Sequence, residues 1–221
     1  MGAVTISKLR QSYKKNTILA DISASFDTGN SYVILGRNGV GKSTLLTLLA
    51  GLSKPESGSI DTVGVIGFVP QHDMLFETLS VKDNLQFWLR ANKQSWETIA
   101  PYVTMFGIDT YLKKRISKLS GGMKKAVAIC CGLSHAPDIL IMDEPFAGLD
   151  VVYKETLLQL VSELKAQGKT IIYTSHSVDE IIGTDSHIYA LANGQLTSKG
   201  MSDDIVQVQD FVALFDAGGR T

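Results

Sequence analysis

Gly36-Arg37-Asn38-Gly39-Val40-Gly41-Lys42-Ser43 is the stretch on which the reading of this chain turns. It matches G-x-x-x-x-G-K-[ST], a loop whose backbone N–H groups cradle phosphate oxygens. The glycines permit the tight backbone path that aims those groups at one point. Ahead of the loop, Ser31-Tyr32-Val33-Ile34-Leu35 has strand character. Behind it, residues 43–50 have helical character and Gly51 suits the helix end. Strand, loop, helix is the context the motif requires, and the helix turns the positive end of its dipole toward the same anion. In this reading Lys42 reaches the β- and γ-phosphates of ATP, and the Ser43 hydroxyl binds Mg²⁺. The bland alternative is a glycine-rich turn that merely opens a helix.

Working outward, residues 65–69 form a strand stopped by Pro70, and residues 3–34 read as short strands. Residues 138–143 are a continuous apolar run ending in acids, as expected of a parallel strand buried on both faces. Leu157, Leu158, Leu160, Val161 and Leu164 mark an amphipathic helix closed by Gly168, and residues 170–174 make a second buried strand. Asn193-Gly194 between two apolar runs signals a hairpin. Strands alternating with helices imply an α/β fold with a mostly parallel sheet. The stretch 75–117, helical in pattern, breaks the alternation and reads as an insert packed beside that sheet.

A phosphate loop needs a metal-side acid at the end of a neighbouring strand. Asp143 stands there and Glu144 follows. Adjacent strand residues point to opposite faces, so the two acids divide the work where the chain leaves the sheet. Asp143 is the candidate Mg²⁺ ligand, and Glu144 the general base that polarises the attacking water. A solvated strand end is the competing reading. His176 ends the next buried strand, on the sheet edge where parallel strands put their ligands, and is directed toward the γ-phosphate region. His72, His135 and His187 carry no such positional argument and receive no role.

Composition narrows the field further. The chain has 221 residues, 44% hydrophobic and 19% charged, with a formal net charge of -1. That is ample for a core, and it gives no global basic field for nucleic acid or anionic lipid. The mean hydropathy of +0.11 hints at an apolar patch awaiting a partner. Cys130 and Cys131 read as buried small residues in a reducing compartment. Neither a secretory signal nor a myristoylation pattern opens the sequence, and no run is long enough to span a bilayer. The expectation is a soluble, intracellular protein whose membrane role, if any, comes through another chain. No role is read for residues 203–221.

Over nearly its whole length the chain resembles the nucleotide-binding subunits of ABC transporters. The resemblance rests on residues 36–44, on Val69-Pro70-Gln71, on Leu119-Ser120-Gly121-Gly122-Met123, on residues 139–144, on Ala147-Gly148-Leu149-Asp150 and on His176, in the family's order. It implies a P-loop NTPase with an N-terminal antiparallel β subdomain and an inserted α-helical subdomain. The core would span residues 1–71 and 138–221 of one ABC ATPase domain, and the insert about 72–137. By resemblance Tyr13 stacks on adenine, and Asn38, Thr44 and the loop glycines Gly36, Gly39 and Gly41 contact nucleotide. Gln71 links the γ-phosphate and Mg²⁺ to the insert, and Asp150 belongs to the D-loop. Ser120, Gly121 and Gly122 open a helix, so their free N–H groups make a second anion site. In the family that site serves the ATP of a second subunit, so two subunits pack head to tail. Arg37 replaces the commoner proline, Met123 a glutamine and Phe146 a Thr or Ser, and the stretch 58–71 is short enough to have lost a β-hairpin. None of these removes a catalytic group.

The implied function is ATP hydrolysis driving an ABC transporter, most like bacterial exporters with separate permease chains. The implied partners are a transmembrane permease and a homodimer or heterodimer of ATPase subunits. Nucleic acid is not among them. The chain would be cytoplasmic, on the inner face of the membrane through its permease. Leu75, Phe76, Leu79, Phe87 and Trp88 would in part line the permease groove, though most are expected to pack the subdomain core. The alternative is a soluble ABC ATPase, such as an iron–sulfur assembly ATPase.

Overall fold

A computed structural model describes residues 2–14, 16–72, 74–176, 180–181 and 184–202; residues 203–221 lie outside it. In chain order the elements are β1 (Gly2–Tyr13), β2 (Asn16–Asp27), β3 (Ser31–Leu35), α1 (Lys42–Leu49), β4 (Ser57–Thr62), β5 (Ile66–Val69), α2 (Val81–Ala91), α3 (Ala100–Met105), α4 (Gly121–Leu133), β6 (Ile139–Met142), α5 (Val151–Ala166), β7 (Thr170–Ser175), β8 (His187–Ala192) and β9 (Gln195–Met201). Among the described residues they form two sheets. One is antiparallel, in the order β2-β1-β4; the other runs β5-β6-β7-β3-β8-β9. In the second sheet β5 through β8 pair in parallel and β9 returns antiparallel on β8.

The apolar runs are continuous because both faces of the second sheet are covered. Period-two alternation divides them: Leu140 and Met142 of β6 join one core, Ile139 and Ile141 the other. Val33, Leu35, Ile171 and Tyr173 share the first core with α2, α4 and α5. Tyr32, Ile34 and Ile172 share the second with α1 and the antiparallel sheet. α4 is buried almost all round, which its apolar sequence requires. It starts at Gly121, where Ser120 Oγ caps the Met123 N–H at 3.3 Å. Asn193 and Gly194 both adopt positive φ, as the tight β8–β9 turn demands.

Two expectations need correction. The N-terminal strands are long, twelve residues each in β1 and β2, because they pair with each other along their length. The insert is mostly helical, as expected, but not one run: α2 and α3 alternate with 3₁₀ turns at Trp96–Thr98, Ile108–Tyr111 and Ile116–Lys118. Nor do most of the five apolar residues of the insert pack its core. Leu75 and Trp88 pack against it, but Phe76, Leu79 and Phe87 are exposed, the two phenylalanine rings meeting edge to face at 4.8 Å. Cys130 and Cys131 are buried and not joined in a disulfide, as expected. Burial pushes the Cys130 thiol well above its ordinary pKa, so it stays protonated and inert.

Candidate functional site

Register brings the predicted residues to one edge. Leu35 pairs with Ser175, Val69 with Met142, and Met142 with Tyr173. The residues that follow these strand ends, Gly36, Gln71, Asp143, Glu144 and His176, therefore leave the sheet side by side. An open cleft of about 490 Å³ lies at this edge. Its walls are Tyr13, Ile18, Asn38, Gly39, Gly41, Lys42, Ser43, Thr44, Gln71 and Glu144. Tyr13, at the end of β1, is 57% exposed and has a free ring face to offer.

The loop has the shape its glycines dictate. Gly39 and Gly41 have φ of 79° and 114°, and Gly41 is the N-cap of α1. A Cβ at Gly41 would meet Ile18 Cγ2 at 2.5 Å, so a side chain is excluded sterically as well. Lys42 is buried, and its Nζ donates to Gly36 O at 2.8 Å and to Arg37 O at 3.4 Å. The same ammonium lies 3.6 Å from Glu144 Oε1. Lys42 thus fills the loop with its own side chain, held by two loop carbonyls and a carboxylate.

Glu144 is the hub. Its Oε2 accepts from Gln71 Nε2 at 3.0 Å, and its Oε1 lies 3.6 Å from His176 Nδ1. Its φ is +47°, a conformation costly for a residue with a side chain. The Glu144 carboxylate lines the cleft, whereas Asp143 is not among its walls. Asp143 is buried, and its Oδ1 accepts from Thr174 Oγ1 at 2.6 Å. The same Thr174 hydroxyl accepts from the Glu144 N–H at 2.8 Å. One threonine on the adjacent strand therefore fixes both acids.

The candidate ligands Ser43, Gln71 and Asp143 would offer only oxygen donors: a hydroxyl, an amide carbonyl and a carboxylate. Mg²⁺ prefers such donors and keeps several waters besides, so a set this sparse suits it. Among the described residues no cluster of three or more His, Cys, Asp or Glu competes as a metal centre.

Ser120, Gly121, Gly122 and Asp150 do not line the cleft. Ser120 and Gly121 are exposed at the start of α4, facing no nucleotide wall of this chain. Two connections escaped the sequence. Thr174 looked like an ordinary strand residue, and only the β6–β7 pairing reveals its position. Lys125 is buried on α4 and donates through Nζ to Gln71 O at 3.1 Å, tying the helix to the segment after β5. The pair Lys124-Lys125 in an otherwise apolar helix was the available signal.

A second recess lies beside α2 and α4, lined by Phe68, Pro70, Met74, Leu75, Trp88 and His135 among others. The Trp88 Nε1–H is buried there without an acceptor.

Comparison with known proteins agrees with this geometry. The family model described as ABC transporter matches residues 19–147. The chain is similar to the linearmycin resistance ATP-binding protein LnrL of Bacillus subtilis, 33% identical over 213 residues, covering 89% of this chain and 68% of that one. It is also similar to the Nod factor export ATP-binding protein I of Rhizobium etli, 29% identical over 222 residues and covering 93% and 70%. A solved structure described as the ATP binding subunit of an ABC transporter superposes with a TM-score of 0.86 at 26% identity, covering 97% of this chain and 100% of that one.

Proposed function

The chain belongs to the ABC transporter family and is an ATPase, and from that premise we propose that it powers an export pump by closing around ATP with a second copy of itself. The observation that carries the reading is the convergence of Lys42, Gln71 and His176 on Glu144, at a cleft that Ser120–Gly122 does not line. A catalytic apparatus with an exposed anion site elsewhere on the same chain calls for a partner that brings its own copy of that site.

Each residue then has a task. Tyr13 stacks on the adenine, and Asn38, Gly39, Gly41 and Thr44 line the phosphate path. Lys42 leaves the Gly36 carbonyl for the phosphates. Ser43, Asp143 and Gln71 hold Mg²⁺, which when bound neutralises phosphate charge. Glu144, released from Lys42, orients water and takes its proton, while His176 hydrogen-bonds at the γ-phosphate. Asp150 and the Ser120–Gly122 loop of the second copy complete the enclosure, which excludes water from the reacting centre.

Residues 72–137 act as a unit that receives a permease. The exposed Phe76, Leu79 and Phe87 support this, because a monomer gains nothing from presenting them. The chain would then sit on the cytoplasmic membrane face through that permease. Among the described residues no helix is long and apolar enough to cross a membrane. The two relatives named for resistance and export favour an exporter over a soluble ATPase of the same family.

Phosphate release from Mg-ATP by the purified chain, and its loss in Glu144→Gln with ATP binding retained, tests the reading. Undiminished release by Glu144→Gln would remove Glu144 as the base.

A further inference from the structure

Ser120, Gly121 and Gly122 must hold a fixed position if a second copy is to use them, yet Ser120 and Gly121 are exposed. What fixes the loop from outside is a side chain of α5. Gly122 is buried, and a Cβ built on it would lie 3.1 Å from Tyr153 Cδ2, 3.5 Å from Tyr153 Cε2 and 3.7 Å from Leu149 Cδ2. The second glycine thus leaves the space that the Tyr153 ring fills. Tyr153 is itself placed twice. Its N–H donates to Asp150 Oδ1 at 3.0 Å, the N-cap of α5, and its hydroxyl lies 3.4 Å from that of Tyr111, which is buried in the insert. The hydroxyl contact is long and therefore weak. The ring against Gly122 is the stronger tie.

We propose that Tyr153 is a positioning residue, which transmits the setting of the Asp150 segment to the Ser120–Gly122 loop of the same chain and so fixes the anion site offered to the second copy. Tyr153 does not line the nucleotide cleft, so it acts through the loop and not on the nucleotide of its own chain. The inference rests on the shared-site reading above. It adds a route within one chain: whatever moves Asp150 on dimer closure also moves Gly122, through one aromatic ring.

The test uses the purified full chain with Tyr153→Leu, which keeps apolar volume but removes the ring, and Tyr153→Phe, which keeps the ring and removes only the hydroxyl. Mg-ADP affinity is measured on each. ATP-driven assembly is followed by light scattering in the Glu144→Gln background, and turnover with Glu144 intact. Tyr153→Leu should raise the ATP concentration for half-maximal assembly by roughly five- to tenfold and lower turnover comparably, a coupling typical of residues in contact. Its Mg-ADP affinity should stay within about twofold, and Tyr153→Phe should restore assembly and turnover, because ring packing and not the weak hydroxyl contact carries the effect. An unchanged assembly midpoint in Tyr153→Leu overturns the proposal. So does an equal loss of Mg-ADP affinity, which is the mark of general structural damage. Ser120→Arg separates the premise from the inference. If it assembles like the parent, the shared site itself is wrong; if it fails while Tyr153→Leu assembles normally, only the role of Tyr153 is.

Discussion

Thr174 holds the two acids of the site in one frame, donating to Asp143 and accepting from the Glu144 backbone through a single hydroxyl. Thr174→Val keeps the shape and removes both bonds. It leaves a buried carboxylate short of a donor and a buried N–H without an acceptor, at a cost of about 1–3 kcal/mol. Urea unfolding should register that loss, and phosphate release should fall while the parent level of Mg-ADP binding is kept. Lys42 is the contrasting case. Its charge sits in the loop, so Lys42→Ala should abolish ATP binding in a fluorescent-nucleotide titration; unchanged affinity would remove residues 36–43 as the phosphate site. The contrast also marks what was legible. Lys42 follows from local spacing, because the chemistry of the loop is written in eight consecutive residues. Thr174 depends on a strand pairing between residues thirty-one positions apart, and nothing local distinguishes it from any other β-branched strand residue.

At the scale of elements, α2 is fastened by Asn84. This side chain is fully buried, accepts from the Phe76 N–H at 2.8 Å, and donates to Ser80 O at 2.9 Å and Phe76 O at 3.2 Å. Asn84→Ala would leave the Phe76 N–H without its acceptor and should destabilise the chain by about 1–3 kcal/mol, measured by denaturant unfolding. The same bonds explain why Phe76 and Leu79 face outward: the turn 76–80 is pinned by its backbone, so its side chains are free to point away. Nothing in the local sequence marks Asn84 as the residue that pins this turn, so the outward setting of Phe76 and Leu79 is not legible there. At the end of α4, burial holds the His135 imidazole below its ordinary pKa, partly offset by the Gly132 backbone. The folded state therefore favours the neutral ring. As pH falls through the ordinary value of about 6.5, the unfolded chain takes up the proton first and stability is lost. The fall in Tm between pH 7 and pH 5 should accordingly be smaller in His135→Gln than in the parent.

For the whole molecule, the parallel sheet was legible because its strands are buried on both faces and read as unbroken apolar runs. The antiparallel sheet was harder to read, since β4 lies between α1 and β5 in sequence yet joins β1 in space. The cleft-lining and strand-end residues of the site could be named individually because parallel strands bring their ends to one edge. Where Ser120–Gly122 stands relative to that edge is a matter of tertiary packing, through Lys125 on one side and Tyr153 on the other. On the proposed reading hydrolysis is a property of two chains: one supplies Lys42 and Glu144, the other Ser120–Gly122. The most direct measurement is the molar mass of purified Glu144→Gln in solution, by light scattering, with Mg-ATP and with Mg-ADP. A doubled mass with ATP and a monomer with ADP are expected; a monomer in saturating ATP would overturn the shared site.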